Sequence, residues 1–318
     1  MAKKVNGERT RGRELAKDNA ALAKAYNVSK STTRDTFVSI FMSIVRNKRA
    51  LIGMIILILY ILLAIFGPML ADQSQLKSNI RERLEGPSWK HPLGTDNNGR
   101  DTLTQFVFGA RNVLTVAFVA AIMTLIIASV IGMVSGLCGG WIDAVLMFIT
   151  NIIMTVPSMP IMMLLATVMT AEDPFSFGFV LSIWSWAGLA RSIRAQVMSV
   201  KNRDYIEAAK ILGMPTRHII VNEMMPSLTS YLTMNLIFSM RGAITASVTL
   251  MFLGVAKFSA SHWGMMIQIA LNSTGALFGS SALIYFLTPV MGIVIFGIGC
   301  FFFASGLDEA LNPRLRTQ

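Results

Sequence analysis

Apolar runs separated by short polar stretches divide the chain, at 51–70, 113–137, 144–170, 177–190, 231–254 and 282–304. About 20 apolar residues in a helix cross a hydrocarbon core of about 30 Å. The pattern therefore predicts an all-α, polytopic membrane protein with six transmembrane helices. The fourth run is short, but it continues into the amphipathic SIRAQVMSV. Ahead of the first run, TFVSIFMSIVRNKRA at 36–50 puts Phe37, Ile40, Phe41, Ile44 and Val45 on one helical stripe, the pattern of an interfacial helix. Residues 1–35 lack such a face and are expected to be a solvated extension, too long and polar ahead of its apolar run for a cleaved signal peptide. The remaining divisions are an outer loop at 71–112, a core at 113–304 that contains the polar loop 191–228, and a tail at 305–318.

That polar loop holds RDYIEAAKILGMPTRHIIVNEMMPSL, at 203–228. Tyr205, Ala208, Ala209 and Leu212 fall at i, i+3, i+4 and i+7, one apolar face with two alanines at its middle, while Glu207 and Lys210 take the adjoining polar face. Gly213 ends this helix at the position where a left-handed backbone is wanted, and Pro215 suits the start of a second helix. Pro226 is expected to end the unit before the next span. Two uses fit a helix, a rigid turn and a second helix: an interfacial loop packed on its own spans, or a docking element for a partner.

Charge orients the spans. Of 28 lysines and arginines, 20 fall on the side that carries Met1 and 7 on the other, with Arg241 left inside a span. By the positive-inside rule both termini and loop 191–228 are cytoplasmic, and 71–112 is outside. Charged residues make up only 14% of the chain against 53% hydrophobic, and mean hydropathy is +0.58, which soluble domains with about 25% charged residues do not show. The net charge of +11 sits beside apolar spans, so topology accounts for it and nucleic-acid binding does not follow.

Candidate chemistry is sparse. Cys138 and Cys300 stand in apolar context, and His91, His218 and His262 are far apart, so neither a disulfide framework nor a metal site is expected. The 22 methionines are scattered among Leu and Ile as flexible packing. There is no GxSxG, HExxH or GxxxxGK[ST], so the chain is not expected to be an enzyme or to hydrolyse ATP itself. The six runs hold no Asp or Glu, which argues against an ion-coupled secondary transporter, the reading of another class. Arg241 costs roughly 2.5–3.5 kcal/mol at a helix centre unless it faces protein or water. It either meets solute on a pathway or supports packing against a companion subunit. Asn151, Pro157 and Pro160 interrupt the third run and permit a bend.

Glu207-Ala208-Ala209, with Gly213 four residues after Ala209 and Pro226 thirteen after Gly213, resembles the EAA loop of bacterial ABC importer permeases. HPLGTDNNGRD at 91–101, FGAR at 108–111, GGWID at 139–143, FLG at 252–254, HWGMM at 262–266 and GLDEALNPRLR near the end are similar to the second, C-type permease of dipeptide and oligopeptide transporters, from about Thr36 onward. The resemblance implies a type I importer permease fold. Tyr205, Glu207, Ala208, Ala209, Leu212, Gly213, Pro215 and Pro226 would then form the coupling element that docks on an ATPase subunit. Asn151, Arg241 and Ser247 would be the pathway candidates.

The implied partners are a second permease, two cytoplasmic ATPase subunits that bind ATP and Mg, an extracytoplasmic solute-binding protein and membrane lipid, in a bacterial or archaeal cytoplasmic membrane. No cofactor is implied in this chain. Three stretches depart from the family pattern: Glu223-Met224-Met225-Pro226 closes the loop, Ala246-Ser247 stands where a glutamate is usual in the fifth span, and Ala256-Lys257-Phe258-Ser259-Ala260-Ser261 replaces a proline-rich outer loop. Peptide is the expected solute; relatives of the subfamily also carry oligosaccharides or nickel complexes.

Overall fold

The computed structural model describes residues 45, 47–169, 172–256, 259–273 and 280–311. The extension at 1–35, most of the expected interfacial helix at 36–50, Lys257 and the end of the tail lie outside them. Among the described residues the long elements are all helical: α1 (Lys48–Leu70), α2 (Thr102–Cys138), α3 (Gly140–Thr155), α4 (Ser158–Val168), α5 (Pro174–Val200), α6 (Asp204–Ile211), α7 (Thr216–Phe252), α8 (Trp263–Ser273) and α9 (Ser280–Leu311).

The first span starts earlier than its apolar run. Asn47 caps α1, its side chain accepting the N–H groups of Arg49 and Ala50 at 3.0 and 3.3 Å, so the basic flank forms the first turn. α1 lies directly on α9, where a Cβ on Gly53 would overlap the backbone of Phe303 and Gly299. Helices approach this closely in membranes where small residues remove the side chains between them. α9 also runs past the apolar limit at 304 to Leu311, because Leu307 is buried and Gly306 abuts Ala50; Asn47 donates to the Glu309 carboxylate there. The first seven residues of the expected tail are therefore helix.

The third run is two helices. α3 ends at Thr155, Val156 and Pro157 are extended, and α4 leaves at 91° to α3. Proline at this point cannot supply a backbone N–H to the preceding turn. Among the described residues four helices are long and apolar enough to cross a membrane, α1, α2, α7 and α9, and five if α3 and α4 make one broken span. α5 has 27 residues and so about 40 Å of length. Ser182, Ser185, Arg191, Ser192 and Arg194 dilute it, and it falls outside that set, although it packs along α2 for most of its course. The six runs thus map onto these helices, the third as a broken pair, an arrangement compatible with six membrane passes.

One helix went unseen in the sequence. α8 begins within the HWGMM stretch, with Trp263, Met266 and Ala270 buried against α7 and α9. Trp263 stacks on Phe106 at a ring separation of 5.0 Å and donates its indole N–H to the Phe106 carbonyl.

Candidate coupling surface and pathway wall

The loop segment folds much as its punctuation predicts. α6 opens with Asp204 and Glu207, acids at the positive end of the helix dipole. It closes in a Schellman arrangement: Met214 N–H reaches the Ala209 carbonyl at 3.1 Å, Gly213 N–H reaches Lys210 at 3.0 Å, and Gly213 has φ of 70°. No atom stands within 4 Å of a Cβ built on Gly213, so conformation alone demands glycine.

The face is rotated from the expected one. Ile206 and Ala209 are buried, against Ile219, Met224 and Leu228 of α7, while Tyr205, Ala208, Ile211 and Leu212 are exposed, Ile211 by 85% and Leu212 by 73%. Ala209 accordingly belongs to the inner side of α6, not to its outer surface. Tyr205 also bonds Ser227 Oγ at 2.8 Å, fastening α6 to α7. Glu207 and Pro215 are exposed beside this apolar shelf.

Pro226 does not stop the helix. Residues Ile219–Met224 form a π turn, with Met225 N–H reaching back to Ile220, and Pro226 then sits in the first turn of the α-helical stretch Met225–Phe252. The early turn of a helix tolerates proline because its N–H would have no α-helical partner there. The second helix of the loop and the following span are one continuous α7 of 37 residues.

A charged clasp holds the base of this unit. Asp143, near the start of α3, accepts Arg194 Nε at 2.6 Å and Nη2 at 2.5 Å, and also the Ser135 hydroxyl. Lys201 donates to the Gly136 carbonyl at 3.3 Å. α2, α3 and the end of α5 are thereby joined just before α6 begins. The signal for this pair in the sequence is the acid of GGWID at a span's edge, set against an amphipathic helix that carries arginine.

At the α3–α4 break a cavity of about 570 Å³ opens, lined by Thr155, Ser158, Ser185, Gly188, Ser239 and Gly242 among others. Irregular backbone at membrane depth is tolerated where it faces protein or water. Asn151 is exposed on α3 and accepts a hydrogen bond from Arg191. Arg241 is exposed on α7, one residue before Gly242, with its guanidinium beside Gly297 of α9. Among the described residues no carboxylate lies within ion-pair distance of it. Ser247 is different: it is fully buried and its hydroxyl donates to the Ile244 carbonyl at 2.9 Å, so it packs inside the bundle and does not line the wall.

The HPLGTDNNGRD stretch is a polar knot at the opposite end. Asp96, fully buried, accepts Asn98 N–H, Arg100 N–H and Arg100 Nε at 2.8–2.9 Å and Gln105 Nε2 at 3.2 Å. Asp101 caps α2 through Thr104 N–H at 2.7 Å and holds His91 Nδ1 at 3.0 Å. Tyr285 of α9 donates to Gln105 at 3.2 Å. Lys90 beside Glu82 holds that carboxyl below the ordinary carboxylate range. The knot fixes the outer segment to the tops of α2 and α9, and it leaves Trp89 fully exposed.

Residues 128–317, which include the clasp, the coupling segment and the wall, match the model of the binding-protein-dependent transport system inner membrane component. The chain belongs to that family. It is a multi-pass membrane permease, a transport component and not an enzyme. Residues 37–87 match the N-terminal TM domain of oligopeptide transport permease C. Curated relatives agree over most of the length. The dipeptide transport system permease protein DppC of Alkalihalophilus pseudofirmus is 32% identical over 87% of this chain and 90% of its own. The oligopeptide transport system permease protein OppC of Bacillus subtilis is 31% identical over 85% and 87% respectively. A second OppC, from Lactococcus lactis subsp. cremoris, is 32% identical over 71% and 78%.

Proposed function

We propose that this permease forms half of the translocation path of an ATP-driven importer of di- and oligopeptides, with a second, homologous permease supplying the other half. Two cytoplasmic ATPase subunits, which bind ATP and Mg, sit beneath, one of them on α6 of this chain, and an extracytoplasmic binding protein delivers solute to the other side. The permease lies in the cytoplasmic membrane with both termini inside. The exposed apolar shelf of Tyr205, Ala208, Ile211 and Leu212, held up by the Gly213 turn, is the observation that carries this reading. A shelf so exposed beside charged Glu207 suits a groove on a partner better than it suits water.

The geometry supports a lever. α6 is fixed to the foot of α7 by Ile206, Ala209 and the Tyr205–Ser227 bond, and α7 continues without a stop to the wall that carries Ser239 and Gly242. Displacement of α6 by closing ATPases would therefore reach the cavity through one rigid helix. Asn151 and Arg241 are both exposed and would meet the second permease or the solute.

The test is reconstitution of the permease pair, the ATPases and the binding protein in vesicles. Tripeptide loaded on the binding protein should stimulate ATP hydrolysis and enter the vesicle, whereas an oligosaccharide or a nickel complex should do neither. Uptake that survives without ATP and collapses with an ionophore would replace this reading with ion-coupled transport.

A further inference from the structure

A second hollow lies on the other side of α7 from the cavity at the α3–α4 break. It runs between α1 and α2 and has a volume of about 480 Å³. Leu57, Ile61 and Ile65 of α1 face Leu114 and Phe118 of α2, Phe175 stands at the mouth, and Met240 and Phe296 form the floor. Its wall offers almost nothing polar: the one hydroxyl, on Thr115, is already donated to the Arg111 carbonyl at 2.8 Å. Ile237 and Met240 lie around α7 from Gly242 and Ala246, which line the cavity, so the two spaces are separate.

Size and direction narrow the occupant. From Ile65 to Leu57 the α1 wall is eight residues, about 12 Å at 1.5 Å per residue. That is close to the depth of one leaflet, half of a hydrocarbon core of about 30 Å. A helix of about 10 Å diameter over the same length would displace roughly 900 Å³, about twice the hollow. A single hydrocarbon tail fits where a helix does not.

The mouth carries charge. Arg111 is exposed on α2, four residues before Thr115 and seven before Phe118, so it continues the same helix face at the end toward segment 71–101. An arginine on a lipid-facing helix extends to the headgroup level, where its planar fork suits a phosphate. Glu172, also exposed, comes three residues before Phe175, just ahead of α5, and would offer an opposite charge to an ammonium.

We propose that the hollow between α1 and α2 is a phospholipid site, holding one acyl tail along Leu57–Ile65 with the phosphate of a zwitterionic headgroup on Arg111. The occupant is a lipid of the leaflet on the side of segment 71–101, lodged between the first span and the core that carries the path.

Native mass spectrometry of the full chain, purified in mild detergent from phosphatidylethanolamine-containing membranes, tests this directly. The wild type should retain one phospholipid. Ala64→Trp, which fills the hollow, and Arg111→Gln, which removes the phosphate contact, should each lower retention several-fold; unchanged retention in either overturns the proposal. A second measurement needs no variant. The wild-type chain in vesicles of phosphatidylethanolamine bearing a photoreactive group on its tail should be labelled at Phe118, Met240 or Phe296. Labelling confined to outward residues of α1 such as Ile55, Ile58 and Leu62 overturns it as well.

Discussion

Asp143 receives Arg194 through two nitrogens, at 2.6 and 2.5 Å, and so ties the first turn of α3 to the last turns of α5. Two parallel charge-assisted bonds fix angle as well as distance, and both partners are mostly withdrawn from water. Asp143→Asn should lower the thermal stability of the purified permease by about 1–3 kcal/mol, since Arg194 loses its counter-charge. Asp143→Asn combined with Arg194→Gln should cost less than the two single changes added together, a shortfall that a double-mutant cycle reads as coupling. Additive losses would mean that the clasp contributes nothing.

Gly213 gives a sharper test of the turn. Its φ of 70° is open to any side chain sterically but not conformationally, so Gly213→Val should strain the backbone by about 1–2 kcal/mol while creating no clash. Gly213→Asn should be nearly silent, because asparagine enters this region readily. Solute-stimulated ATP hydrolysis is expected to fall for valine and to persist for asparagine.

The two alanines of the EAA stretch should part company. Ala208 is exposed and Ala209 is buried against the foot of α7. Ala208→Asp and Leu212→Asp should leave the yield of folded permease intact and abolish co-purification of the ATPase subunits. Ala209→Asp buries an unpaired carboxylate in the chain's own interior and should reduce the yield itself. Equal yields for all three would contradict the observed rotation of α6.

Sidedness can be read by labelling in a Cys138→Ser background. Ser88 and Thr216 are both exposed. A cysteine at Ser88 should react with an impermeant thiol reagent in intact cells, and one at Thr216 only after permeabilisation. The reverse pattern would invert the assigned topology.

Arg241 tests how the wall is used. Its guanidinium lies beside Gly297, and among the described residues no carboxylate is within ion-pair distance, so a companion subunit is the expected source of its counter-charge. Arg241→Lys should preserve the amount of assembled complex and Arg241→Ala should lower it, with the apparent affinity for peptide unchanged in both. Normal assembly with altered affinity would give the residue to the solute instead.

Local punctuation was legible in the sequence wherever a residue acts on its own backbone. Gly213 announces a C′ position whatever surrounds it, and Pro157 breaks the third run whatever it packs on. What depended on distant partners was not. The stripe beginning at Tyr205 and the Ile206–Ala209 pair at i, i+3 both fit one helix, and the packing of Ile219, Met224 and Leu228 decides which side turns inward. Pro226 reads as a stop unless the π turn ahead of it is known. Asp143 and Arg194 lie 51 residues apart, and α8 depends on Trp263 finding Phe106. Ser247 is a pathway candidate through the resemblance, at the position where a glutamate is usual, yet its hydroxyl is satisfied by its own helix and so can be buried cheaply.

The break between α3 and α4 also bears on how the chain enters the membrane during synthesis. At 16 and 11 residues, neither half is the length of about 20 that commits a helix to lipid by itself, and the two reach the character of a span only as a pair. Insertion of α3 is therefore expected to wait for α4. α5, with its serines and arginines, follows onto the strongly apolar α2, burying Ser182 while Arg191 and Arg194 reach back to Asn151 and Asp143 of α3.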